Sequence, residues 1–396
     1  MTDVVDLSKE LSLYFHFPFC KRKCFYCDFT SFSGFDQIMP AYVTALLTEV
    51  QFYLPQPSKI IKSIYFGGGT PSYFPVDSLT EVLKYVTTHF LVPKKAEITV
   101  EINPGTIDAD GLIHLHEAGF NRLSIGLQAI QNDLLKKIGR IHSAQEFLDI
   151  FELAREIGFR NIGVDLIFGL PGQTVRQWQD TLRTVIGLDP EHVSAYGLQL
   201  EPGTVLHQQV TRKELHLPSE ETVAEMMEFA MSYLQESGYE QYEISNYAKP
   251  GYYSIHNLGY WMGHDYLGFG AGASSTRLGQ RWVNVKDPRL YIEKLTNGQS
   301  VVAERESIDK HTAAIEAIML GLRLHSGINL QHMREKYGID LLANLGHNLN
   351  KLSEANLIEI NDNNFRLTSK GILTSNLVIA NVIDGMWKSS CVNAGS

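Results

Sequence analysis

The sequence predicts an α/β protein: a partial (β/α)6 barrel followed by a winged-helix-like α+β domain. Three observations carry that expectation. From Leu11 to about Leu200, short β-rich runs alternate with amphipathic stretches of helix length. The next hundred or so residues lose this rhythm, and the remainder reads as helices followed by a two-stranded hairpin. Repeated strand–helix units imply a parallel sheet with right-handed crossovers. Functional residues of such a sheet gather at the C-terminal ends of its strands.

The strand candidates are 11–17, 63–66, 97–102, 122–128, 161–168 and 192–200. They read as apolar on both faces, as expected where helices cover one side and a core fills the other. Helical periodicity falls at 37–54, 76–90, 108–118, 143–157 and 174–187. A helix over 220–235 leads into a Gly- and aromatic-rich stretch, 239–275, with little periodicity. The last part predicts helices at 312–322, 330–337 and 341–355, then a hairpin of 357–360 and 364–367 with Asp362-Asn363 in its turn. The expected domains are therefore 1–205, a barrel; 206–305, an insert; and 306–396, a winged module with a polar tail carrying Cys391.

At 396 residues the chain can bury a sizeable core. A net charge of −10 argues against a nucleic-acid surface, which needs a basic stripe. From Lys310 onward, eight Lys and Arg face seven Asp and Glu, too even a balance for a winged module that grips phosphates. That module reads as a packing or lid domain. The polar, acidic start has no apolar signal, and no run approaches the ~20 apolar residues of a membrane-spanning helix. The expected compartment is the cytoplasm.

Three of the four cysteines fall within eight residues, in Cys20-Lys-Arg-Lys-Cys24-Phe-Tyr-Cys27, directly after the first strand. Clustered thiols without an export signal read as a metal or catalytic site. Thiolates are the soft ligands that iron–sulfur clusters and zinc prefer. Three of them on a four-iron cluster leave one iron open to an outside chelate. A structural zinc needs four ligands, and His16 is the candidate for the fourth. Lys21, Arg22 and Lys23 suit the negative charge of a thiolate-bound cluster, and equally a solvated loop.

Gly67-Gly68-Gly69-Thr70-Pro71 follows the second strand, and side-chain-free residues let backbone approach a ligand closely. No Lys-Ser or Lys-Thr pair follows, which excludes a P-loop. Three polar residues then end successive strands: Glu101, Gln128 and Asp165. A polar group inside an apolar strand costs roughly 1–3 kcal/mol if unpaired, so three in matching positions favour a shared ligand.

Cys-x3-Cys-x2-Cys with an aromatic residue before the last Cys resembles the radical S-adenosylmethionine (SAM) signature. Over Leu11 to about Asp384 the chain resembles the oxygen-independent coproporphyrinogen III oxidase-like family. Further resemblance lies in Tyr-Phe-Gly-Gly-Gly-Thr-Pro-Ser, Ile-Phe-Gly-Leu-Pro-Gly-Gln-Thr, Tyr-Glu-Ile-Ser-Asn-Tyr-Ala and the C-terminal module. It implies a radical SAM barrel in which Cys20, Cys24 and Cys27 hold a 4Fe–4S cluster. SAM is then expected against Tyr14, Tyr26, Gly68, Gly69, Thr70, Glu101, Gln128, Arg140 and Asp165, with Arg140 facing its carboxylate.

Two branches of that family compete. The dehydrogenase branch oxidatively decarboxylates coproporphyrinogen III; it carries a fourth cysteine two residues after the third, where this chain has Phe29, and a long N-terminal extension where this chain has about ten residues. The HemW-type heme chaperone branch carries His-Asn-x-x-Tyr-Trp, and here His256, Asn257, Tyr260 and Trp261 stand in that pattern. The resemblance therefore implies heme binding, with His256 as iron ligand and its three companions in support; imidazole Nε2 is a common axial ligand and aromatic faces suit a porphyrin. His264 is a rival ligand. The Gly268-Phe-Gly270-Ala-Gly272 run lacks the strand–helix unit of a dinucleotide site. The expected partners are heme and acceptor hemoproteins such as respiratory cytochromes, with a homodimer among the expected states. The alternative is an enzyme: the anaerobic coproporphyrinogen dehydrogenase or another radical SAM activity.

Overall fold

The computed structural model describes residues 10–54, 59–361 and 363–393. The acidic N-terminal segment and Asp362 of the predicted turn lie outside the described residues, as does the side chain of Cys391. Six parallel strands stand side by side in chain order: β1 Glu10–Phe17, β2 Ile60–Gly68, β3 Glu97–Ile102, β4 Arg122–Gln128, β5 Ile162–Phe168 and β6 His192–Gly197. Helices α1 Met39–Gln51, α2 Val76–His89, α3 Ala109–Ala118, α4 Asn132–Lys137, α5 Ala144–Ile157 and α6 Val175–Gly187 make the crossovers. β1 and β6 do not pair, so the barrel stays open.

Local chemistry sets the helix ends. Ser143 and Thr174 open α5 and α6 with reciprocal capping boxes to Glu146 and Gln177. Asp108 caps α3 through the N–H of Gly111. Gly119 and Gly158 close α3 and α5 in the left-handed conformation.

Along the strands, side chains alternate between two environments. Phe15, Phe66, Val100, Ile125 and Val164 face the helices and are fully buried in one core. Their neighbours Tyr14, Tyr65, Glu101, Ser124 and Asp165 face the other way, onto a cavity. The expectation of strands apolar on both faces is thus corrected. The inner face is polar because it bounds a space and not a packed core.

Residues 240–307 return to both edges of this sheet. β7 Glu240–Gln241 and β8 Asn246–Ala248 pair antiparallel, with β8 antiparallel to β6. At the other edge β9 Tyr266–Phe269 joins β1 in parallel, and β10 Ser274–Arg277, β11 Gln280–Asn284 and β12 Val302–Ser307 continue antiparallel. Between them lie α7 Val205–Thr211, α8 Glu220–Glu236, α9 Ile255–Trp261 and α10 Pro288–Thr296. Such short strands carry too few residues for periodicity to announce them. Trp178 of α6 donates its Nε1–H to the Met226 carbonyl of α8 at 2.8 Å. Glu49 at the end of α1 is fully buried and accepts from Tyr291 Oη (2.6 Å), Asn284 Nδ2 (2.7 Å) and the Gly270 N–H (2.8 Å).

The C-terminal module has its own core. It begins with α11 Lys310–Gly321 and carries a three-stranded sheet: β13 Ile328–Asn329, β14 Ile358–Asn361 and β15 Asn364–Leu367. The helix expected over 341–355 is two, Leu341–Leu345 and His347–Glu354, broken at Gly346 with φ +49°. Where the sequence suggested a polar tail, a helix Ser375–Asn393 forms and places Val378, Ile379, Val382 and Met386 against Phe365 and Ile318. Among the described residues, no helix is long and apolar enough to cross a membrane.

Candidate functional site

One cavity of about 710 Å³ occupies the barrel interior. At its mouth lies the loop after β1. The loop is pinned at its base by Cys20 N–H to the Phe32 carbonyl (2.8 Å) and Phe32 N–H to the Pro18 carbonyl (2.7 Å). Its middle is pinned to the barrel wall by Phe25 N–H to the Ile138 carbonyl at 2.9 Å. Cys20, Cys24 and Cys27 all line the cavity. Thr70 Oγ1 donates to Cys20 Sγ at 3.3 Å and Arg140 Nη1 to Cys24 Sγ at 3.6 Å. Burial pushes the Cys20 and Cys27 thiols up, so a positive metal centre is what would hold them deprotonated. His16 does not offer a fourth ligand. Its Nδ1 meets Tyr14 Oη at 2.9 Å and its Nε2 the Thr30 carbonyl at 2.8 Å.

The residues expected around SAM line the same cavity: Tyr14, Tyr26, Gly68, Gly69, Thr70, Glu101, Gln128, Arg140 and Asp165. Gln128 ends β4 in the left-handed region, φ +72°, at a break in register with β5. The glycines after β2 have a tighter reason than ligand access. Gly68 has φ +113°, and a Cβ there would stand 2.5 Å from the His16 ring; one on Gly69 would stand 2.8 Å from the Phe17 carbonyl. Glu101 takes the Gly68 N–H (3.1 Å) and the Tyr65 hydroxyl (2.9 Å), and burial pushes its carboxyl up to about 7. Asp165, raised by burial, accepts from Ser194 (2.6 Å) and Ser124 (2.9 Å). Burial alone would lower the pKa of Arg140, but Tyr26 and Cys24 beside it more than offset that. Its Nη2 donates to Asn103 Oδ1 and the Gly126 carbonyl, both at 2.6 Å, while its Nε is buried without a partner. That orphaned donor and the sulfur-bearing rim suit an amino acid chelating a cluster.

The His-Asn-x-x-Tyr-Trp segment is α9, and it closes the cavity from below. Its N-terminus docks on the Glu97 carboxylate at the start of β3, which accepts from the Ile255 N–H (2.9 Å) and the His256 N–H (3.0 Å). His256 is 2% exposed and stacks on Tyr65 with ring centroids 5.0 Å apart. Burial pushes its pKa down to about 3, so the imidazole is neutral. Nδ1 meets Ser63 Oγ and Nε2 meets Tyr260 Oη, both at 2.9 Å. Asn257 and Tyr260 also line the cavity; Trp261 does not. It sits beneath the Arg323 guanidinium of the C-terminal module, 5.6 Å from the ring. His264 does not line the cavity either.

Sequence reasoning missed the residues that complete the interior: Tyr65, Asn103, Arg122, Ser124, His192 and Ser194. Their signal was period-two polarity, as in Arg122-x-Ser124 and His192-x-Ser194, inside runs taken as uniformly apolar.

The model of the radical SAM superfamily matches residues 14–185, and that of the HemN C-terminal domain matches residues 308–374. Over 370 residues the chain is 39% identical to the heme chaperone HemW of Bacillus subtilis (strain 168), spanning 93% of this chain and 97% of that protein. It is 40% identical over 265 residues to the heme chaperone HemW of Escherichia coli (strain K12), spanning 66% of this chain and 69% of that protein. It is 32% identical over 387 residues to the mitochondrial radical S-adenosyl methionine domain-containing protein 1 of Danio rerio, spanning 94% of this chain and 87% of that protein. Among solved structures, the radical SAM enzyme coproporphyrinogen III oxidase (HemN) of Escherichia coli shares the fold. Its TM-score is 0.82 at 23% identity, over 96% of this chain and 90% of that one.

Proposed function

The chain belongs to the radical SAM superfamily and, within it, to the HemW heme chaperone family, and from that premise we propose that it binds heme and hands it to acceptor hemoproteins. Membership of the superfamily implies a 4Fe–4S cluster and SAM. In this reading Cys20, Cys24 and Cys27 hold the cluster, Arg140, Glu101 and Asp165 hold SAM, and His256 is the heme ligand with Asn257 and Tyr260 beside it. The cluster with SAM supplies one-electron chemistry when bound.

The observation that carries this reading is that the cysteine loop and His256 face one cavity from opposite ends. The hydroxyl chain beneath His256 supports it further. Ser63 donates to Ser12 at 2.9 Å, which leaves its oxygen to accept the Nδ1 proton of His256. The imidazole lone pair then sits on Nε2, the atom a heme iron takes, under the hydroxyl of Tyr260. Trp261 belongs to a different task in this reading: it packs the motif helix against the C-terminal module.

The test is handover. Heme-loaded protein mixed with an apo-cytochrome is expected to lose its Soret band as the acceptor gains one. A stable complex with no handover would leave storage or sensing in place of delivery. Anaerobic incubation with SAM, dithionite and coproporphyrinogen III is expected to leave the porphyrinogen unchanged; protoporphyrinogen would restore the dehydrogenase reading.

A further inference from the structure

Arg122 opens β4 and turns into the barrel, where it is 2% exposed. A guanidinium cannot shed its charge, and burying it without an anion is costly. Among the described residues it has no ion pair and no side-chain hydrogen bond, and its Nε is a buried orphan. Glu97 and Asp165 offset the buried charge through space without bonding to it, because the carboxylates around it spend their oxygens elsewhere. Glu97 holds the N-terminus of α9, Glu101 holds Tyr65 and Gly68, and Asp165 holds Ser124 and Ser194.

Beside Arg122 lies a second orphan. His192 gives its Nε2 to Tyr242 Oη at 2.8 Å, while its Nδ1 is buried without a partner. The two groups meet at a residue with no side chain. A Cβ on Gly163 of β5 would stand 3.1 Å from Arg122 Nη2 and 3.3 Å from His192 Nδ1. Glycine lets both groups close in on β5 and on each other, and Arg122 and His192 both line the cavity.

We propose that the cavity floor at Arg122 and His192 is an anion subsite that takes a carboxylate of the bound ligand. Resting on the heme reading above, that carboxylate is a propionate side chain of the porphyrin. It is separate from the Arg140 side of the cavity, where the SAM carboxylate is expected. The same chemistry would accept a small free carboxylate, and the experiment separates the two sources.

Full-length protein is titrated with heme and with heme dimethyl ester, whose propionates carry no charge. The wild type is expected to bind the ester about tenfold or more weakly. Arg122→Met is expected to weaken heme to the level of the ester and to abolish the difference between them. Arg122→Lys, which keeps a charge if the methionine variant fails to fold, is expected to retain part of the preference. Equal binding of heme and ester by the wild type overturns a porphyrin propionate here. If heme binds neither protein, the chaperone reading fails, and propionate alone decides the subsite. A rise in melting temperature over equal chloride, present in wild type and absent in Arg122→Met, supports a small free carboxylate; no Arg122-dependent rise overturns the subsite.

Discussion

His256 Nε2 lies 2.9 Å from the hydroxyl of Tyr260, one helical turn further along α9. The phenol therefore caps the lone pair that a metal would use, and it does so with the ring edge-on to the imidazole at 4.9 Å between centroids. In the proposed function, a heme iron would reach that nitrogen only as the phenol moves off it.

Removing the cap should speed loading. Tyr260→Phe is expected to raise the association rate of ferric heme several-fold in stopped flow, while His256→Ala should change the Soret band of the complex. An unchanged Soret band in His256→Ala would take His256 off the ligand set.

The latch beneath α9 should be measurable in stability. Glu97 receives two backbone N–H groups of the helix start, and hydrogen bonds to a charged group contribute about 1.5–3 kcal/mol each. Glu97→Ala is expected to cost about 2 kcal/mol or more in denaturant unfolding. Amide exchange over residues 254–261 should accelerate more than over β4. Uniform acceleration would contradict a local latch.

Gly68→Ala should be costly although it adds one methyl. At φ +113° an L-residue is strained by about 1–3 kcal/mol, and the new Cβ would strike the His16 ring at 2.5 Å. Loss of midpoint stability in urea, with the Tyr14–His16 contact broken, is expected. An unchanged midpoint would contradict the packing role.

Stability should depend on pH through Glu49. Burial pushes this carboxyl up to about 7, against the hydrogen bonds of Tyr291, Gly270 and Asn284. A folded pKa above the unfolded value means the contribution is fully present below the unfolded pKa and is lost as pH rises through about 7. Buried imidazoles act the other way: His256 at about 3 and His142 at about 4 weaken the fold as pH falls below 6.5. The difference between wild type and Glu49→Gln isolates the carboxyl. Melts from pH 5 to 8 should show the variant gaining on the wild type as pH rises; a constant difference would refute a raised Glu49.

Much of this was legible in the sequence where local rules act alone. Strands at 97–102 and 122–128 were readable to the residue, the first as the β-branched run Ile98-Thr99-Val100 closed by Asn103-Pro104-Gly105. The cysteine loop was readable because its spacing is local; of the polar residues expected at strand ends, Gln128 and Glu101 lie there and Asp165 lies in the middle of β5. The floor was not. Arg122 and His192 begin their strands, the end where function was not sought, and Tyr242, which holds His192, comes from a segment far along the chain. His256 touches Ser63 across 193 positions, a contact no periodicity encodes. Trp261 shares a motif with His256, yet the helix turns it toward Arg323. The helix at 375–393 was missed because its apolar face answers a core built by other elements.

The proposed function stands on three cysteines of one loop holding an iron–sulfur cluster that SAM can reach. Iron and sulfide analysis of anaerobically prepared protein, with electron paramagnetic resonance of the reduced state, tests it most directly. One 4Fe–4S cluster per chain, a spectrum altered by SAM, and loss of both in Cys24→Ala are expected. Zinc in place of iron, or a spectrum indifferent to SAM, would contradict it.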